Sequence, residues 1–176
     1  FSKLAQIHFA RAVEEHDHPE EMIHSVHRAF QDVLRSHRSY LTVAVLIIAP
    51  GGGVRFAGGA HRDVLVQRRN EDKLEHWESG PYLLGLLGGS DEAAMAVREE
   101  RLSPGDRIMV FTDGMTDVLD ADRAIYGQEP LEEMFQKCRR MELRPALVRI
   151  IEQWRTYFEG GGEKMDDATL LLLEVL

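Results

Sequence analysis

The spacing of apolar residues changes twice along the chain, and this change constrains the fold more than any other feature. Up to about residue 36 the apolar residues recur at helical intervals, which predicts two helices. The first covers residues 1–16, with an apolar face of Leu4, Ile7, Phe9 and Val13. The second begins at Pro19, which suits a first helical turn, with an apolar face of Met22, Ile23, Val26, Phe30 and Val33.

From residue 41 the pattern becomes strand-like. Residues 41–49 form a nearly continuous apolar run, typical of a strand buried on both faces. The turn Pro50-Gly51-Gly52-Gly53 then predicts a hairpin with residues 54–57. Further strands are predicted at 64–67, 108–111 and 169–175, and two more helices at about 130–140 and 145–158. Strands in runs between helix pairs indicate an α+β fold rather than an alternating parallel sheet.

Length and charge narrow the functional class. The 176 residues fit a single domain, and we expect it to be part of a longer chain, because the sequence starts at Phe1. A net charge of −9 argues against nucleic acid as the main partner. The one cysteine, Cys138, fits a reducing compartment and a cytoplasmic location. No apolar run approaches the roughly 20 residues of a membrane span.

Two acidic turns adjoin the last two apolar strands. Asp113-Gly114 follows the run 108–112, and Asp166-Asp167 comes just before the final strand. A carboxylate at a strand end is held rigidly, and oxygen ligands are what Mg²⁺ and Mn²⁺ prefer. Aspartate is also favoured in turns for its own backbone hydrogen bonds, so an ordinary turn role is equally open for either residue alone.

The ordered set of motifs is more specific than either turn. Leu102-x-Pro104-Gly105-Asp106, Phe111-Thr112-Asp113-Gly114-x-Thr116-Asp117, Tyr126-Gly127 and Asp166-Asp167-Ala168-Thr169-Leu170 follow one another. Upstream lie Phe56-Ala57-Gly58-Gly59-Ala60-His61 and Gly80-Pro81-Tyr82-Leu83-Leu84-Gly85-Leu86. Together they resemble the SpoIIE-like branch of the PPM metal-dependent serine/threonine protein phosphatases over nearly the whole chain.

The resemblance implies an αββα sandwich of two mainly antiparallel sheets flanked by helix pairs, here without the family's N-terminal strands. It also implies two Mn²⁺ or Mg²⁺ ions and a metal-activated water that attacks phosphoserine or phosphothreonine, with no protein nucleophile. By resemblance, Asp113 and Asp166 are metal ligands, and Asp167 is a weaker candidate. Thr112, Gly114 and Asp117 are expected near the site.

One family motif does not occur within the sequence. The resemblance predicts a glycine-aspartate-x-x-glycine-histidine-glycine turn before the first long helix, and its aspartate normally bridges both metals. With two of the usual carboxylates, we expect weak binuclear binding and poor activity from residues 1–176. The alternative hypothesis is therefore a catalytically weakened domain that regulates by binding another protein.

The resemblance also predicts partners. They are a phosphorylated bacterial regulatory protein such as an anti-sigma-factor antagonist, an upstream sensor or receiver domain and, as a further option, a second copy of the chain.

Other groups are interpreted as structural. The pair His24 and His27 shares a helix face but has no evident third ligand, and His61 is assigned a structural role. Cys138 lies on a predicted helix without a nucleophile motif. The basic pairs Arg68-Arg69 and Arg139-Arg140 are interpreted as solvated surface.

Overall fold

The computed structural model describes residues 2–85, 95–159, 162–164 and 166–176. In chain order the elements are α1 (Ser2–Glu15), α2 (Pro19–Ser36), β1 (Val43–Ile48), β2 (Gly53–Gly59), β3 (Val64–Gln67), β4 (Leu74–Trp77), β5 (Ala96–Arg101), β6 (Arg107–Phe111), a 3₁₀ helix (Asp113–Met115), β7 (Val118–Leu119), α3 (Glu129–Lys137), α4 (Leu143–Glu159), β8 (Glu163–Lys164) and β9 (Leu170–Glu174). They fall into two compact units, Phe1–His61 with Glu78–Arg101, and Arg62–Trp77 with Leu102–Leu176.

The first unit combines α1 and α2 with an antiparallel sheet in the order β1-β2-β5. The predicted hairpin is confirmed, with Val43 opposite Gly59 and Ile48 opposite Val54. The buried face of α2 matches the prediction except that Leu34, rather than Val33, is fully buried. Its apolar residues pack with Val43, Ala57, Tyr82 and Leu84 into one core cluster.

The predicted apolar face of α1 is wrong at three of its four residues. Leu4, Ile7 and Val13 are 38, 65 and 62% exposed, whereas Ala12 is 1% exposed and joins the core of the first unit. Phe9 and Ala5 are partly buried beside it. Ala5, Phe9 and Ala12 therefore mark the side of α1 that packs into the core together with α2.

The second unit contains an antiparallel sheet in the order β4-β3-β6-β9 and the helices α3 and α4. Apolar residues of the sheet, including Leu65, Met109 and Phe111, pack with Leu131 and Phe135 of α3 and Ile150 and Trp154 of α4. The two-residue strands β7 and β8 pair separately. This unit carries all the acidic turns of interest.

The sequence prediction missed several short elements. β3 was predicted with its observed bounds, and α3 and α4 differ by a few residues from the predicted helices. β5 was missed because its sequence, Ala-Val-Arg-Glu-Glu-Arg, is highly charged; it is an edge strand, and charged edges are protected against further pairing. The apolar segment 82–87 was also noted in the sequence; its last two residues, 86 and 87, lie outside the described residues.

None of the helices in the described ranges is long and apolar enough to cross a membrane. The assignment of residues 1–176 to a single domain stays a prediction.

Candidate functional site

The two acidic turns meet at one end of the β6–β9 ladder. Phe111, the last residue of β6, lies opposite Leu170, the first residue of β9. Beyond this pair, the Thr112 amide donates to the Thr169 carbonyl at 3.1 Å, and the Thr169 amide donates to Thr112 Oγ1 at 2.9 Å. The antiparallel pairing therefore brings together two segments that are more than fifty positions apart in the sequence.

Gly114 lies directly against the main chain of the second turn. A Cβ atom added to Gly114 would come within 2.3 Å of the Asp167 carbonyl oxygen and 2.7 Å of the Asp167 carbonyl carbon. The φ angle of Gly114 is not in the left-handed region, so glycine is required here for close approach and not for a sharp turn. The absence of a side chain allows the two turns to touch.

The three aspartates assigned as ligands by resemblance all have exposed side chains. Asp113 opens the 3₁₀ helix, and its Oδ1 accepts a 3.0 Å hydrogen bond from the Gly114 amide. Asp166 Oδ1 likewise accepts a 2.6 Å bond from the Asp167 amide. Each turn is thus held by a bond to one carboxylate oxygen, while the same carboxylates remain accessible to solvent.

Asp117 is engaged differently. Its Oδ1 accepts a 3.0 Å hydrogen bond from Arg62 Nη2 and another of 3.0 Å from the Thr116 hydroxyl. Sequence reasoning left the role of Asp117 open and missed Arg62, because the two residues are 55 positions apart. The ion pair with Arg62 favours a role for Asp117 in fixing the loop after the 3₁₀ helix.

Trp154 of α4 contacts the 3₁₀ helix through a hydrogen bond to its main chain. Its indole Nε1 donates a buried 2.8 Å hydrogen bond to the Met115 carbonyl. The 3₁₀ helix therefore depends on α4 as well as on the sheet. The tryptophan sits among apolar positions of a predicted helix, so the sequence offered no signal that distinguishes this role from ordinary packing.

Tyr126 fills the adjacent core. Its ring makes an edge contact with Tyr157 at a centroid distance of 4.9 Å, and its hydroxyl is buried without a hydrogen-bond partner in the described structure. Burial, and to a lesser extent the neighbouring Tyr157, raises the pKa of the Tyr126 phenol. Gly127, which follows it, has a φ of +74°, a backbone conformation that favours glycine.

The motif ending in Asp106 is structural. Asp106 is only 4% exposed, and its carboxylate accepts hydrogen bonds from the amides of Arg69 (2.8 Å) and Ser103 (2.9 Å). Arg68 bonds Asp106 Oδ2 at 3.4 Å and pairs with Glu75 at 2.7 Å. Arg68 is therefore part of a half-buried network, contrary to the expectation of a solvated pair.

The two upstream glycine-rich segments are neighbours in the first unit. The Gly80 amide donates to the Gly58 carbonyl at 3.1 Å, and the Ala60 amide donates to the Gly80 carbonyl at 2.5 Å. A Cβ atom on Gly59 would come within 2.4 Å of the Tyr82 carbonyl oxygen. Both segments are thus required for packing in this unit.

His24 and His27 each contact the ring of Tyr82. The distances between ring centroids are 5.7 and 5.3 Å, and these contacts favour a structural role for both histidines.

Cys138 also has a structural environment. It is 1% exposed, and burial raises the pKa of its thiol despite the nearby charges of Arg149 and Arg107. A raised pKa disfavours the thiolate that a nucleophilic cysteine needs.

The donor chemistry at the two turns fits a hard divalent cation. The carboxylates are exposed and belong to segments held in contact by the sheet and by Gly114. Within the described ranges, no three His, Cys, Asp or Glu side chains are gathered closely enough to hold a metal together. Exposed carboxylates of this kind fit a water-rich ion held by one or two carboxylates, which is the usual manner of Mg²⁺ binding.

Comparison with known proteins gives the family. The sequence profile described as "Stage II sporulation protein E (SpoIIE)" matches residues 2–176. No curated protein sequence matches the chain significantly.

Solved structures agree in fold. The SiaA-PP2C domain of Pseudomonas aeruginosa is similar with a TM-score of 0.82 at 17% identity, covering 98% of this chain and 68% of that one. The PP2C phosphatase domain of SpoIIE from Bacillus subtilis, with a fragment of its regulatory domain, gives 0.78 at 14% identity; 99% of this chain matches 49% of that one. RsbX in complex with magnesium gives 0.62 at 12% identity, over 96% of this chain and 71% of that one.

The predicted fold class is thus confirmed: the α+β arrangement of the two larger antiparallel sheets and the four α-helices seen among the described residues matches PP2C phosphatase domains. The profile match over nearly all of its residues shows that the chain belongs to the SpoIIE family.

Proposed function

We propose that the chain is a metal-dependent protein phosphatase domain that hydrolyses phosphoserine or phosphothreonine on a bacterial regulatory protein. The observation that carries this proposal is the contact between the two acidic turns, in which Gly114 lies against the main chain of Asp167. Membership of the SpoIIE family supports the reaction class.

Asp113 and Asp166 are the residues that would hold the ion, and Asp167 is the weaker candidate. Their accessible carboxylates supply the hard oxygen ligands that Mg²⁺ and Mn²⁺ take. When bound, two such ions lower the pKa of a coordinated water and neutralise phosphoryl oxygens, so that no protein nucleophile is needed. The magnesium in the related RsbX structure supports the choice of metal.

The other residues of the site act by positioning. Thr112 ties the end of β6 to the start of β9 through both its amide and its hydroxyl. Gly114 permits the close approach of the turns, and Trp154 fixes the carbonyl of Met115. The ion pair of Asp117 with Arg62 holds the following loop. In this proposal, these contacts hold the two carboxylate-bearing turns in position for an ion.

The proposed substrate and the proposed regulation rest on membership of the family. A phosphorylated anti-sigma-factor antagonist is the proposed substrate class, and the proposed location is the cytoplasm. An attached sensor or receiver domain is the proposed source of control, since the related SpoIIE structure includes a fragment of a regulatory domain.

A second function, regulation by binding alone, has one observation in its favour. No three-ligand cluster occurs among the residues that the structure describes, so a tightly held pair of ions lacks its protein ligands there. In this alternative, the domain recognises the regulatory protein without hydrolysing its phosphate.

Phosphate release from a phosphoserine peptide, measured with and without Mn²⁺, separates the two functions. We expect Mn²⁺-dependent release that Asp113→Asn abolishes and that the matched control Asp122→Asn, an exposed aspartate in another turn, preserves. Equal rates for the two variants would remove Asp113 from the site. Peptide binding without any metal-dependent turnover in a full-length protein would favour regulation by binding.

A further inference from the structure

Two adjoining cavities lie in the second unit, at the end of β6 opposite the acidic turns. The larger, 450 Å³, we call the arginine cavity; residues that line it include Arg69, Arg107, Arg139, Arg140, Glu142 and Glu174. The smaller, 250 Å³, we call the glutamine cavity; it is lined by Gln67, Asp72, Gln136, Lys137, Arg139 and Arg140. Arg139 and Arg140 line both, and the larger one has the volume of a small-molecule site.

The glutamine cavity contains an unsatisfied buried acceptor. Gln67, the last residue of β3, is 3% exposed, and its Oε1 has no hydrogen-bond partner in the described structure. Leaving a buried polar atom unpaired is unfavourable, and such atoms are rare in native proteins. Gln67 lines this cavity, and a rotation of its side chain that turns the oxygen toward the cavity would let a ligand donor satisfy it.

The arginine cavity is basic although the chain carries a net charge of −9. Two of its arginines, Arg107 and Arg139, already form hydrogen bonds and ion pairs within the protein. Arg107 is 5% exposed and donates to Glu174, at 2.5 Å from Nε, and to the carbonyls of Cys138 and Met141. Arg139 bonds the Glu71 carbonyl and pairs with Asp72. These bonds hold Arg107 and Arg139 against the wall of the cavity.

The other two arginines that line the cavity are Arg69 and Arg140. Neither Arg69 nor Arg140 pairs with a carboxylate among the described residues, and both are exposed at the cavity. The Arg69 side chain is nevertheless placed, because it lies against Gly105, whose φ of +88° and lack of a Cβ leave room for it. Guanidinium groups without a partner bind phosphate and carboxylate oxygens through charge-assisted hydrogen bonds.

We propose that these two cavities bind a small anionic ligand that also carries a hydrogen-bond donor, of the class of phosphorylated polyols. Arg69 and Arg140 contact the anionic group, and Gln67 Oε1 accepts a hydrogen bond from a ligand hydroxyl. The site is separate from the acidic turns, since Arg107 begins and Phe111 ends the strand between them. It requires no metal, so it stands independently of the proposed phosphatase activity.

The test is an ¹⁵N NMR titration of the whole chain in the presence of a chelator, with inorganic phosphate and glycerol 3-phosphate as probes. We expect saturable shifts at Arg69, Arg140 and the Gln67 side-chain amide, with none at Asp113 or Gly114. Glycerol 3-phosphate should bind about fivefold more tightly than phosphate, because one additional hydrogen bond forms. Absence of saturable shifts at tens of millimolar of either probe would overturn the proposal.

Three variants locate the contacts. Arg140→Gln should weaken both probes about tenfold through loss of a charge-assisted contact, whereas Arg155→Gln, an exposed arginine of α4 away from the cavities, should change neither. Gln67→Leu should remove only the preference for glycerol 3-phosphate. Equal effects of the two arginine substitutions, or a preference that survives in Gln67→Leu, would contradict the assignment; the dispersion of each spectrum verifies that the variant is folded.

Discussion

Gly114 and Asp167 touch through their main chains, with room for no atom larger than hydrogen on the Gly114 Cα: a Cβ there would lie 2.3 Å from the Asp167 carbonyl oxygen. This contact joins the turn that carries Asp113 to the turn that carries Asp166. The spacing of the two carboxylates, and with it the candidate metal site, therefore depends on a glycine that bears no functional group.

Gly114→Ala should separate the two turns. The added methyl group meets backbone rather than a flexible side chain, so the expected destabilisation is about 1–3 kcal/mol, as for other overpacked sites. Mn²⁺ affinity should fall as well. Gly53→Ala is the matched control, since a Cβ there has its nearest contact at 3.7 Å. Urea denaturation and Mn²⁺ titration measure both effects, and an unchanged affinity in Gly114→Ala would contradict the role of the contact.

Trp154→Phe should destabilise the 3₁₀ helix (Asp113–Met115). It removes the buried hydrogen bond to the Met115 carbonyl and leaves that carbonyl unpaired, for an expected loss of about 1–3 kcal/mol of unfolding free energy. Mn²⁺ affinity should decline in parallel. Trp77 lies on β4, at the opposite edge of the β4-β3-β6-β9 sheet from β9. The control Trp77→Phe should therefore destabilise the protein without changing the affinity for Mn²⁺. Similar Mn²⁺ affinities for the two variants would remove Trp154 from the support of the site.

Asp106→Ala should destabilise the second unit strongly. The substitution leaves two backbone amides without their acceptor and removes one of the carboxylates that the half-buried Arg68 contacts, for an expected loss of about 2–4 kcal/mol. The exposed Asp122→Ala should change the unfolding free energy by less than about 0.5 kcal/mol. Urea denaturation measures both. A loss for Asp106→Ala no larger than for Asp122→Ala would show that the network contributes little.

Tyr126→Phe should stabilise the protein at alkaline pH. The pKa of the Tyr126 phenol is raised on folding, so the stability that the neutral form contributes is complete below the unfolded value of about 10 and is lost as pH rises through the folded value. At neutral pH the variant should be equal to or slightly more stable than the parent, because the buried hydroxyl has no described partner. Denaturation at neutral and alkaline pH tests this, with exposed Tyr40→Phe as control. A parallel alkaline loss in parent and Tyr126→Phe would refute it.

Local patterns predicted much of the fold. β3 was predicted with its observed bounds, because a short apolar run between two turns has few alternatives. The face of α1 could not be predicted in the same way. Leu4, Ile7 and Val13 are apolar but exposed, while Ala12 is buried, and the choice depends on which side of α1 meets α2. Tertiary packing, and not the number of apolar residues, decided it.

In the candidate site, too, local patterns predicted some features, and tertiary contacts determined the others. The ordered motifs placed Asp113 and Asp166 at strand ends, and the antiparallel register of β6 and β9 then brings their turns together. Arg62 and Trp154 could not be found from the sequence, because their contacts with Asp117 and Met115 span 55 and 39 positions. Gln67 resembled any other strand residue until its unpaired oxygen appeared beside a cavity.

Paramagnetic broadening by Mn²⁺ in the ¹⁵N NMR spectrum of the chain tests the candidate metal site most directly. Substoichiometric Mn²⁺ should broaden the amides of residues 112–117 and 166–169 first. The expected affinity is weak, because the site has few carboxylates and the ion keeps several waters. The broadening should disappear in Asp113→Asn and persist in Asp122→Asn. Broadening centred elsewhere, or an unchanged pattern in Asp113→Asn, would show that the two acidic turns do not form a metal site.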